Sequence, residues 1–429
     1  DNRPPAVIEE PDDEAEVEAP RKEKFGPGFG FIPFVIYNSD WGVGGGAKGA
    51  VYWYAGGIKP YALRVDFQLF ITTKLVQFHY VGFDIPRVLG TPLRLDGSVW
   101  YTSSLTENYC GLGGGATCSP GVGRAAGREY LAAHGLNEKN TATMAASEEL
   151  GRKYYQFRQL APYGVVNARY GVTDQVDLFA SYKLQYYRID PYPLSQLAEE
   201  KPLGMRGGTT SMPQLGVVFD TRDHEPAPTF GIFSEVSARV SSRAWGSGYD
   251  WFGVNATFRG YAPLTPSRNI VLAMRFIADM MFGNVPFYEQ NSIGGSDQIT
   301  GLGGERSIRG IRASRFRGKG KFIFTPEFRA TWVTFNLPLG KLGSPEIDIG
   351  NTAYIDVGKV ISEWPTAAVS ATGVVVTEHD HRPFNELVYG AGAGLRIGIN
   401  RVFILKGDVA VSPLEPGSPG IYLNVGHVF

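Results

Sequence analysis

The sequence predicts an all-β fold: a transmembrane antiparallel β-barrel of about 16 strands with long loops on one side. Three observations carry that expectation. Apolar and polar residues alternate with period two through segment after segment, as in strands whose successive side chains point to opposite faces. Many of these segments exceed the ~5–6 residues of ordinary globular strands and approach the ~9–11 that cross a bilayer at a tilt. The longest connections follow odd-numbered segments and those after even-numbered ones are mostly short, the asymmetry of an outer-membrane barrel.

Composition narrows the classes further. The chain has 429 residues, of which 55 are glycine, and only 19% are charged, against roughly 25% in soluble domains. Forty-one basic against 42 acidic side chains leave a net charge of −1, which excludes a protein held broadly on nucleic acid. Mean hydropathy is −0.13, and no run approaches the ~18 apolar residues of a membrane-spanning helix. A helical membrane protein is excluded.

Taken in chain order, residues 1–29 are expected to be a disordered acidic N-terminal segment and residues 30–429 the barrel. Within Asp1–Lys24, Glu9, Glu10, Asp12, Asp13, Glu14, Glu16 and Glu18 with four prolines leave too little apolar surface to fold alone. The chain opens on Asp1 with no signal peptide, so it reads as a mature form. The first five strands are expected at Phe31–Asn38, Gly42–Tyr54, Pro60–Ile71, Lys74–Phe83 and Leu93–Thr106. In the first of them Pro33 lacks a ladder donor, which is tolerated at a sheet edge. Gly42–Lys48 imitates a phosphate loop, but Ala47 stands where glycine should precede the lysine, and the stretch reads as strand; no nucleotide site is expected.

Cys110 and Cys118 follow in a glycine-rich loop and read as a disulfide formed in an oxidising compartment. Two sulfurs without nearby partner ligands make zinc a poor reading. Further strands are expected at Tyr154–Tyr170, Gln175–Ile189, Met212–Asp220, Phe230–Ser241, Tyr249–Tyr261 and Asn269–Phe282. Gly301–Gly304 lacks the strand–helix setting of a dinucleotide site. Strands at Lys321–Phe335, Pro345–Gly358, Leu387–Ile399, Val402–Ser412 and Ile421–Phe429 complete the set. In Lys321–Phe335, Phe324 and Phe328 alternate with Thr325, Glu327 and Arg329; in Leu387–Ile399 the apolar face opposes a glycine face. Glu378–His381 reads as a solvated loop, and the other four histidines are scattered, so neither metal nor other cofactor is expected. No Gly-x-Ser-x-Gly occurs and no catalytic residues are assigned, so the chain reads as a non-enzyme.

The loop after the eleventh strand carries Ile308-Arg309-Gly310-Ile311, the next strand places Glu327 inward, and the one after places Asp356 inward. Together with the turn Asp220-Thr221-Arg222-Asp223 and the terminal Phe429, these residues resemble the BamA/TamA superfamily of outer-membrane assembly and translocation barrels. The resemblance covers roughly residues 30–429. Ile311 departs from it, since the family carries an aromatic residue there. The resemblance implies that the sixth extracellular loop folds into the lumen. A guanidinium such as Arg309 could then bind Glu327, Asp356 or both bidentately.

What the resemblance implies for function is a non-enzymatic outer-membrane factor, embedded in outer-membrane lipid, that inserts or translocates polypeptides. Opening is expected at the seam of first and last strands, where Pro33, Gly426 and Phe429 stand. No periplasmic POTRA pattern of roughly 75 residues precedes the first strand, so a stand-alone branch with a periplasmic or membrane protein partner in trans is expected. The alternatives are a structural or interaction subunit of an envelope complex and a passive pore, which an inward-folded loop would obstruct.

Overall fold

In the computed structural model the alternation resolves into one closed sheet. The structure describes residues 25–429 apart from 56–60, 114–117, 119, 134–147, 226, 339–343, 363–366, 370–374, 378–386, 400–402 and 426–429. The acidic segment 1–24, the Glu378–His381 cluster, Gly426 and Phe429 therefore lie outside the described residues.

Among the described residues sixteen antiparallel strands form the barrel. They are β1 (Gly26–Asn38), β2 (Gly42–Tyr54), β3 (Leu63–Thr72), β4 (Gln77–Ile85), β5 (Leu93–Asn108), β6 (in two pieces, Gln156–Leu160 and Tyr163–Gly171) and β7 (Val176–Pro191). They continue as β8 (Gly207–Asp220), β9 (Gly231–Ser241), β10 (Trp251–Pro263), β11 (Ile270–Gly283) and β12 (Gly320–Asn336). The last are β13 (Glu346–Ile361), β14 (Val388–Ile399), β15 (Phe403–Val411) and β16 (Gly420–Val425). Each strand pairs with its neighbours in sequence, and β1 closes on β16.

Boundaries shift where local chemistry dictates. β1 begins at Gly26, five residues ahead of the expected Phe31. The sixth strand, expected to be continuous, breaks because Pro162 has no N–H for the ladder; Ala161 instead donates its N–H to the Thr102 carbonyl at 2.8 Å. β4 starts at Gln77 rather than Lys74, since Leu75 adopts a left-handed φ of 58° in a turn that bonds Leu75 N–H to Thr72 O.

Register sorts the two faces. Phe276, Phe324, Phe328, Leu395, Leu405, Val409 and Leu423 are exposed on the outer surface, as suits lipid. Arg275, Asp279, Glu327, Asp356 and Asp408 are buried on the inner one. The apolar core lies inside the barrel. Residues 284–319, between β11 and β12, turn inward and bury Ile293, Ile299, Leu302, Ile308, Ile311 and Phe316 against the wall residues Ile277, Ile323, Val360 and Val388. A second apolar cluster, including Tyr109, Phe157, Leu197 and Phe287, fills the barrel at the end where the long loops emerge.

Candidate functional site

The inward loop owes its path to its glycines. Gly310 has φ of +87° and lies against Val411, whose carbonyl carbon is 2.8 Å from where a Cβ would stand. On the neighbouring strand, Gly390 of β14 leaves the space through which the loop backbone passes; a Cβ there would meet the Arg309 carbonyl oxygen at 2.0 Å. Gly390 is thus the point on β14 past which the loop backbone runs, whereas Gly392, Gly394 and Gly398 of the same face meet the wall residues Val409, Asp408 and Asp348.

Between those contacts Arg309 is 1% exposed and fully engaged. Its Nε donates to Asp356 Oδ2 at 2.8 Å and its Nη2 to Asp356 Oδ1 at 3.0 Å, a bidentate pair. Its Nη1 donates to Glu327 Oε2 at 2.9 Å, and its backbone N–H to Asp356 Oδ2 at 3.0 Å. The remaining Glu327 oxygen accepts from Arg329 Nε at 2.9 Å, so two guanidinium groups face two carboxylates. The guanidinium also lies over the Tyr354 ring, 3.1 Å from its centre. Burial opposes the charge of Arg309, but Asp356 and Glu327 outweigh it and hold the group protonated beyond its ordinary range. Gly310 N–H donates to Tyr422 Oη of β16 at 3.1 Å. Ile308 and Ile311 flank the pair and are buried at 0% and 1% exposure, and Ile311 sits among other aliphatic side chains.

The sequence singled out none of the loop's other anchors. Asp279 accepts both Nη atoms of Arg239 at 2.8 and 3.0 Å and the backbone N–H of Gly294 at 2.9 Å, with Lys321 Nζ at 3.3 Å. Glu235 accepts Ser296 N–H at 2.7 Å. Arg275 donates to the carbonyls of Arg306 and Ser307 at 2.9 and 3.3 Å. The available signal was Asp279 on an inward face of β11, but nothing local names its partners. Near the long-loop end, Arg315 pairs with Glu415 at 2.8 Å and Arg317 donates to the Asn108 carbonyl at 2.8 Å.

The disulfide joins Cys110 and Cys118, with both residues buried beside Tyr155. It lies in the connection from β5 whose Gly113 N–H donates to Arg317 O at 2.8 Å, so it braces the loop cluster rather than the sheet. At the seam, β1 and β16 share only the pairs Tyr37↔Leu423 and Asn38↔Tyr422 among the described residues. Pro33 lies in β1 beyond those pairs and faces Ala47 of β2.

Comparison with known proteins agrees with this architecture. No curated protein sequence matches the chain significantly. Among solved structures, the BamA of Haemophilus ducreyi, in a form lacking POTRA domains 1–3, superposes with TM-score 0.54 at 12% identity, covering 94% of this chain and 71% of that one. CdiB from Escherichia coli gives TM-score 0.53 at 12% identity over 94% of this chain and 63% of that one. CdiB from Acinetobacter baumannii gives 0.50 at 12% identity over 94% and 60%. The chain thus spans less than two thirds of either CdiB, and at such identities the likeness is one of fold. The sequence model of the Omp85 superfamily domain matches residues 77–429, most of the barrel. This chain, an outer-membrane barrel, belongs to the Omp85 superfamily.

Proposed function

We propose that this barrel is a non-enzymatic factor that inserts or translocates polypeptides at the seam between β1 and β16, with a protein partner delivering cargo at the short-turn, periplasmic end. The observation that carries the reading is how the barrel closes. The first strand, β1, pairs directly with the last, β16, and no connecting segment joins these two neighbours as one joins every other adjacent pair. An edge closed by pairing alone can exchange its partner for an incoming strand without moving a turn. Membership of a family of insertion and translocation barrels supports the same reading. So does the lumen, where the anchored loop stands in the path of a passive pore.

The test is a seam lock. Tyr37→Cys with Leu423→Cys, a directly paired couple, is oxidised in the purified full chain reconstituted into liposomes. Insertion of a nascent barrel substrate should fall when the disulfide forms and return on reduction. A lock placed between β1 and β2 at Val35→Cys and Gly45→Cys should leave activity intact. Full activity with the seam locked overturns the proposal. Single-channel conductance separates a pore, and pull-down from native membranes identifies the partner.

A further inference from the structure

One acidic side chain of the loop touches both sides of the closure. Glu305 stands four residues before Arg309, half-buried in the lumen. Its Oε1 accepts from Asn424 Nδ2 of β16 at 2.5 Å and its Oε2 from Asn38 Nδ2 of β1 at 3.4 Å. Asn38 is 2% exposed and is held in place by its own turn, since its Oδ1 accepts the Asp40 N–H at 2.8 Å. These asparagines sit at the two described seam pairs or next to them: Asn38 is paired with Tyr422, and Asn424 follows Leu423. A single carboxylate thus receives one donor from each edge strand. The bond from Asn424 is of the short carboxylate-accepted kind, about twice as strong as a neutral one, and the arm to Asn38 at 3.4 Å is the looser of the two. The same loop, four residues on, is fixed to β12 and β13 through Arg309 and to β16 through Gly310 and Tyr422.

We infer that Glu305 is a latch across the seam, a positioning residue that makes closure of β1 on β16 depend on the seating of the inward loop. Neither asparagine can bridge the gap alone, because both present an amide donor toward the opening, and two facing donors need an acceptor between them. When the loop is seated, Glu305 supplies that acceptor; when it withdraws, the seam loses this bridge and keeps its backbone pairing. The inference rests on the seam being the working edge, as proposed above.

The experiment reads closure directly. In the full-length chain carrying Tyr37→Cys and Leu423→Cys, disulfide yield under mild oxidation measures the closed fraction. Glu305→Ala should lower the closed-to-open ratio about tenfold, as expected for loss of one charge-assisted bond. Glu305→Gln keeps an acceptor for Asn424 but turns an amide toward Asn38, so the loss should be intermediate. Adding Asn38→Asp to Glu305→Gln exchanges donor and acceptor and should restore most of the yield. A yield unchanged by Glu305→Ala overturns the latch. So does a loss that the exchanged pair leaves unrepaired, because the effect would then be general loosening. If yields follow this pattern while polypeptide insertion does not change, the latch stands and the insertion reading falls.

Discussion

The wall of β12 and β13 and the seam of β1 and β16 are both places where the inward loop meets the sheet, and they are built in opposite ways. β12 and β13 pair from Gly320↔Ile361 to Asn336↔Glu346 with one bulge, and they hold Arg309 by four hydrogen bonds in a site almost without solvent. The seam has two described pairs, and the loop reaches it through Glu305 and Gly310. Inside the wall, an uncompensated charge would make any rearrangement costly; at the seam, β1 and β16 meet with no connecting segment between them. The loop is thus fastened to the wall through a buried ion pair and touches the seam through single hydrogen bonds.

The largest expected effect breaks the fastened side. Arg309→Ala leaves Asp356 and Glu327 short of a cation and should cost about 3–5 kcal/mol in loop seating, while strand content by circular dichroism stays intact. Limited proteolysis should then cut at Arg315 and Arg317, which are now buried. Arg309→Lys should recover part of the resistance, because an ammonium keeps the charge and loses the bidentate fork. Resistance equal to the parent in Arg309→Ala would remove the contrast.

A smaller effect tests the close approach at Gly390. Gly390→Ala sets a methyl group where the Arg309 carbonyl oxygen lies and should destabilise the seated loop by about 1–3 kcal/mol through overpacking. Gly45→Ala, on β2, has nothing within 4 Å of the added methyl and no positive φ, and serves as the control for a strand glycine with open space. If Gly390→Ala costs no more than that control, close approach is not what the glycine provides.

The smallest effect on the barrel sharpens the comparison from outside. Cys110→Ser with Cys118→Ser should leave the unfolding midpoint of the sheet nearly unchanged, since both cysteines lie beyond the ladder of β5. Protease sensitivity should rise within the β5–β6 connection alone.

Much of this was legible in the sequence because strand alternation is local. Glu327 and Asp356 read as inward from their own neighbours, the strand count follows from the same period, and the two cysteines read as a pair from their spacing. Asp279 likewise read as inward, but neither it nor Glu305 and Glu235 showed in sequence what they bind. Each acts through partners on distant strands, and an inward acid is the same in sequence whether it meets a loop amide, a guanidinium or water. The break at Pro162 was readable from the missing donor, but the alternation on either side of it concealed the gap.

The reach of these contacts along the chain also sets an order of assembly. Arg309 is 47 residues from Asp356 and 18 from Glu327, whereas the bond between Ile421 N–H and Ser39 Oγ spans 382. By loop-closure entropy alone, joining the chain ends costs about 2 kcal/mol more than joining Arg309 to Asp356. Contacts of low sequence separation form first where nothing else intervenes. On that ordering the loop would be seated before β1 closes on β16, and under the proposed function this late closure is the step that a working cycle would reverse.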